Sequence, residues 1–136
     1  MARIRFADRW HELFYTKMMM EVGKNDSYHR AFFYTVGISR DTRDHIRDLY
    51  DFTEDCIKPE GLHAPWQTGG SRRLTRLAFN LWNGWVEEKG ERLSTPYNLF
   101  DCDYGVYFLE AIRLKYPDYC LEEKWRETSN ETIQGR

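Results

Sequence analysis

Trp66-Gln67-Thr68-Gly69-Gly70-Ser71-Arg72-Arg73-Leu74-Thr75-Arg76-Leu77-Ala78-Phe79-Asn80-Leu81-Trp82-Asn83-Gly84-Trp85 is the stretch on which the fold turns. The Gly-Gly pair frees the backbone, Ser71 can cap a helix by accepting a bond from an orphan N–H, and the following residues repeat at helical spacing. With successive side chains about 100° apart, Leu74, Leu77, Ala78, Leu81, Trp82 and Trp85 share one side, while Arg72, Arg73, Arg76, Asn80 and Asn83 share the other. The spacing predicts a loop feeding a central helix, with Trp66, Leu74, Leu77, Leu81 and Trp82 in the core. Phe79 departs from the pattern. It lies among the arginines and asparagines, so the helix either packs on two sides or presents an aromatic ring set in basic and amide groups.

Working outward, the central helix is expected to run past Gly84 to Lys89 and stop at Gly90. Upstream, Pro59, Gly61 and Pro65 make residues 53–65 a turn-rich connector with one helical turn. Ser39 or Asp41 starts a helix with Ile46, Leu49 and Tyr50 inside and charges of alternating sign outside. Asn25 or Asp26 caps a helix through Val36, ended by Gly37 and apolar on nearly every side, hence buried. Asp8 caps a first helix to about Val22, with Trp10, Leu13, Phe14 and Met18 on its inner face and Gly23 as a left-handed stop. Met18-Met19-Met20 spreads thioethers around that helix. Residues 1–6 alternate weakly, with Ile4 and Phe6 opposite Arg3 and Arg5.

Downstream, Thr95-Pro96 starts a short helix. A further helix from Tyr104 to Tyr116 points Phe108, Leu109, Ala111, Ile112 and Tyr116 inward and ends at Pro117. A short segment bearing Trp125 follows. The chain reads as mainly α: one compact domain of five to six helices over residues 1–126, with a short N-terminal extended segment. The polar residues 127–136 are expected to be a disordered tail.

A length of 136 residues suits one domain, which buries roughly two thirds of its unfolded surface. Aromatic residues are 16% of the chain, with 5 Trp, 9 Tyr and 8 Phe, enough to fill a ring-rich core or to furnish an interface as well. The net charge of -2 supplies no global pull toward nucleic acid or membrane, so a nucleic-acid role needs a local patch. No run approaches the ~20 apolar residues that cross a bilayer, and the first residues lack a signal-peptide core, which leads us to expect a cytoplasmic protein. Cys56, Cys102 and Cys120 form no CxxC pair and are expected to be reduced thiols, mostly buried.

The start of the central helix is the candidate site. Gly69-Gly70-Ser71 would aim free N–H groups outward beside three guanidiniums, where a phosphate could dock. It is not a P-loop, since no GxxxxGK[ST] is present. Cations oppose the dipole at a helix N-terminus, so these arginines either face an anion or pair with acids elsewhere. Gln67, Ser71, Arg72, Arg73, Arg76 and Phe79 are therefore the candidate binding residues for a partner or an anion. In a nucleic-acid complex the arginines would hold phosphates and Phe79 would stack a base. A helix-turn-helix does not fit, because about 20 residues separate the two helices concerned, where the motif allows three or four. Cys56, His63, Cys102 and Cys120 are zinc-competent types, yet only Cys56 and His63 lie close, at no recognised ligand spacing. Neither metal nor cofactor is expected. The histidines are scattered, HExxH and GxSxG are absent, and His29 reads as a satisfied core histidine, so no catalytic residue stands out.

The same stretch also carries a family likeness. Trp66-Gln67-Thr68 with Ser71, then Arg76-Leu77-Ala78-Phe79-Asn80-Leu81, join Asp26-x-Tyr28 before Phe33-Tyr34, Thr42-Arg43, and Phe100-Asp101-Cys102 ahead of Glu110-Ala111-Ile112-Arg113-Leu114-Lys115-Tyr116-Pro117. Together they resemble a family of small uncharacterised proteins carried by bacterial phages, plasmids and integrative elements, over residues 8 to 120. The resemblance implies an accessory protein that counters host defence, with anti-CRISPR inhibitors among the possibilities, or that regulates the element's genes. The expected function is a non-enzymatic inhibitor that binds a host protein, a defence nuclease. The alternative is a small DNA- or RNA-binding regulator using the arginine-rich helix start.

Overall fold

Local capping sets the first elements of the computed structural model, which describes residues 3–120. The Trp125 segment and the polar tail lie outside the described residues. Asp8 accepts the His11 N–H at 2.8 Å and opens α1 (Arg9–Val22), which Gly23 ends at φ 65°. Asp26 does the same for His29 at 2.9 Å and opens α2 (Ser27–Gly37). In α2, Ala31, Phe32, Phe33, Tyr34, Thr35 and Val36 are all fully buried, as an all-round apolar helix requires. Ser39 caps α3 (Arg40–Asp44), and a break at His45 separates it from α4 (Ile46–Leu49), so the expected third helix is two.

Between α4 and the central helix the chain forms a two-stranded antiparallel ribbon. β1 (Tyr50–Asp51) pairs with β2 (Cys56–Ile57), Tyr50 opposite Ile57. Asp55 turns the chain at φ 56°, a conformation that needs compensation in a residue with a Cβ. Its carboxylate supplies this: it accepts from Lys24 Nζ at 2.6 Å, His29 Nε2 at 2.8 Å and the Tyr50 hydroxyl. The other ring nitrogen of His29 meets Asp26 at 2.7 Å, so His29 is indeed a buried, doubly bonded histidine. A short 3-10 helix, Pro59–His63, follows.

The central helix is α5 (Gly69–Asn83), which packs along α2. α2 also carries α1 and α7 (Phe108–Lys115) against its flanks, which makes the α2–α5 pair the axis of the molecule. Leu74, Leu77 and Leu81 are buried there as expected. Phe79 takes the two-sided alternative: it is fully buried, stacked on Phe32 at 6.5 Å and met edge-on by Trp85 at 5.3 Å. α6 (Pro96–Leu99) and a 3-10 turn, Asp103–Tyr107, complete the path to α7. The fold is mainly α, with seven α-helices among the described residues.

Several expectations need correction. α5 starts two residues before Ser71 and stops at Gly84 (φ 80°) instead of reaching Lys89, because a left-handed glycine there closes the helix with its N–H on Asn80 O. Trp66 and Trp82 are only partly buried; Trp66 stacks on His45 at 4.3 Å and donates to Asp48 at 2.8 Å. In α7, Leu109 and Tyr116 face outward and Leu114 takes an inner position. Residues 3–6 keep the expected alternation but pair with no strand among the described residues; Phe6 packs on His11, Tyr15 and Tyr34. In α1 the inner face is His11, Tyr15 and Met18, with Trp10 and Leu13 outside.

Candidate functional site

The α5 start, the site expected from sequence, is occupied by the fold itself. Thr68 is the N-cap. Its hydroxyl accepts the Ser71 N–H at 3.1 Å while Ser71 Oγ accepts the Thr68 N–H at 2.7 Å, a reciprocal box that satisfies two orphan donors. Ser71 Oγ donates to Gln67 Oε1 at 2.5 Å, and Gln67 Nε2 donates to Gly61 O and Thr75 Oγ1, both at 3.1 Å. Gln67 and Ser71 are thus buried members of a structural network, and with Phe79 in the core these three candidates do not reach a partner. The residue types that suggested a docking site are the types that close a buried helix start, and sequence alone does not separate the two uses.

The arginines hold down a return segment. After Gly84 the chain runs back along α5: Trp85 O accepts from Asn80 at 3.3 Å, Glu87 from Arg76 at 3.2 Å, and Asn98 O from Arg73 at 3.0 Å. Arg73 also lies 4.0 Å from Asp101. Internal pairing, one of the two expected alternatives, therefore accounts for Arg73 and Arg76. The Arg72 side chain makes no hydrogen bond or ion pair among the described residues, and its Nε is buried. A cleft of about 360 Å³ remains beside the cap, lined by Thr68, Gly70, Arg73, Cys102, Asp103 and Tyr104. Asp103 adds a carboxylate to that lining, which weighs against the phosphate site expected there.

Glu87 anchors the return. It accepts from His63 Nε2 at 2.5 Å as well as from Arg76, and these bonds, His63's foremost, hold its carboxyl below the usual range. Arg76 is 11% exposed. Arg76→Met should cost about 1–2 kcal/mol, as loss of a charged hydrogen bond does, and should speed amide exchange over residues 84–94 about tenfold. Unchanged exchange there would show that the clamp is idle. His63 is thereby engaged away from the cysteines. Cys56 is exposed, and Cys102 and Cys120 are partly buried free thiols, not the mostly buried set expected. Among the described residues no group of three His, Cys, Asp or Glu is arranged to hold a metal.

The outer side of α1 carries Trp10 and Leu13, which the sequence reading placed inside, beside Met20 of the methionine cluster. Trp10 is 64% exposed, Leu13 48% and Met20 78%, at i, i+3 and i+10 of one stripe. The reverse face buries His11, whose Nε2 donates to Tyr34 O at 2.7 Å and whose Nδ1 accepts from Ala7 N at 3.0 Å. Desolvation lowers the His11 pKa to about 4, the bond to Tyr34 only partly offsetting it. A helix that buries its histidine and leaves its tryptophan in water inverts the usual amphipathic order. The signal available in the sequence was the second, opposed apolar stripe of this helix.

No described helix is long and apolar enough to cross a membrane. No curated protein and no solved structure matches the chain. A family model does match, over residues 1–128, nearly the whole length. The chain belongs to DUF6075, a family of unknown function.

Proposed function

We propose that this protein is a protein-binding module whose contact surface is the outer stripe of α1. The inverted burial of α1 carries the reading: local sequence rules fail most often where a residue serves something other than the fold. Trp is also the residue type most enriched at binding hot spots. The resemblance to proteins of mobile elements supports one particular form, an accessory inhibitor that occupies a host-defence nuclease. A DNA- or RNA-binding regulator would have to use groups other than Phe79, Gln67 and Ser71.

The test is capture from bacterial lysate by the tagged protein, with and without nuclease. A protein partner should survive nuclease treatment. Trp10→Ala should weaken its capture about 30-fold, the size of a ~2 kcal/mol hot-spot loss, with the thermal midpoint unchanged because the side chain is exposed. Capture indifferent to Trp10→Ala and Leu13→Ala, or abolished by nuclease, would overturn the reading.

A further inference from the structure

We infer that the outer stripe of α1 is one half of a two-helix seam, and that its partner is an amphipathic helix of another protein with an acidic residue within its apolar row. This rests on the protein-binding reading above and adds the chemistry of the partner. Trp10, Leu13, Lys17 and Met20 follow one another at spacings of three, four and three, the a-d-a-d order of a helix seam. A helix laid into such a row is read through anchors at this spacing, and a sheet edge or a loop is not.

The charge at the seam selects the occupant. Lys17 stands between Leu13 and Met20, and Arg9 lies at the edge of the same stripe; both are exposed, and neither forms an ion pair or side-chain hydrogen bond among the described residues. The carboxylate on the opposite edge, Glu21, already lies 3.8 Å from Arg47. The stripe therefore presents two unmatched cations and no free acid. Closing it lays the Lys17 stem along the seam and draws its ammonium out of bulk water, which is most favourable opposite a carboxylate. A second copy of this chain supplies no such carboxylate: a parallel pair sets Lys17 against Lys17, and an antiparallel pair sets it against Leu13. The occupant is therefore a different chain, and the acid opposite Lys17 fixes its register, as a lone polar seam residue does in coiled coils.

The experiment uses the whole protein and a surface-displayed library of amphipathic helices, three heptads long, with every seam position randomised. Enrichment of helices bearing Asp or Glu at one seam position is the expected result. Those helices should lose at least tenfold in binding to Lys17→Glu and to Trp10→Ala. Selection against the Lys17→Glu protein should instead enrich Lys or Arg at the same position. Enriched helices with no acid preference, or binding unchanged by Lys17→Glu, would overturn the charge assignment. Failure to enrich any helix would overturn the seam. Both outcomes are separable from the lysate experiment, in which a Trp10-dependent partner could still be captured through a loop or a sheet edge.

Discussion

Gly61→Ala is expected to cost about 3–5 kcal/mol, at the upper end for overpacking by a single methyl. A Cβ at Gly61 would lie 2.1 Å from the Asp48 carbonyl oxygen and 2.9 Å from Leu49 Cδ2. The nearest obstacle is backbone, at the end of α4, so no rotamer change relieves it. The Gly61 carbonyl also accepts from Gln67, and any shift of the Pro59–His63 turn loosens the Gln67–Ser71–Thr75 network that starts α5. Set against the 5–15 kcal/mol of a typical domain, that is a large share. Urea unfolding gives the number, and a loss below about 1 kcal/mol would refute the placement of the turn. Gly69→Ala is the control: the nearest atom to its Cβ is Arg73 Nη1 at 3.6 Å, and the change should cost almost nothing.

Acidification from pH 7 to pH 4 should remove about 3 kcal/mol of stability through His11 alone. The folded pKa is lowered to about 4 from 6.5, and each tenfold loss of proton affinity corresponds to about 1.4 kcal/mol. The unfolded chain binds the proton first, so stability falls as pH drops through 6.5 and the loss is complete near the folded value. Geometry gives the same direction independently. His11 Nδ1 faces the Ala7 N–H, and a second ring proton would point donor against donor in a site closed to solvent. Below about pH 4 a second loss begins. Asp26, Asp55 and Glu110 are desolvated but held low by bonds from His29, from Lys24 and His29, and from Arg113 and Arg5 respectively, and their contribution disappears as they protonate. A proton NMR titration of the His11 ring reads the first step directly; a midpoint near 6.5 would refute it.

Much of this structure is legible in short-range chemistry. Asp8, Asp26 and Ser39 cap helices three residues from the N–H groups they accept, and Gly23 takes the left-handed stop. Leu74, Leu77 and Leu81 lie on the buried side that a 3.6-residue period assigns them. These decisions span one or two turns of chain, and the residues that make them are neighbours in sequence.

What remained belonged to distant contacts. Gly37 looks like a helix stop and is instead the place where His11 and Phe14 approach; a Cβ there would lie only 2.7 Å from the His11 ring. His11 displaces Trp10 from the interior because a carbonyl 23 residues away, on Tyr34, completes its bonding. Arg73 and Arg76 look solvated until the segment after Gly84 returns along α5 and sets Asn98 O and Glu87 against them. Sequence by itself determined the helical class, most of the caps and the core side of α5, because propensity and periodicity act locally. Only the tertiary structure decided which apolar stripe of α1 is buried and which polar groups are already paired, because a side chain's burial depends on partners that its neighbours in sequence do not specify.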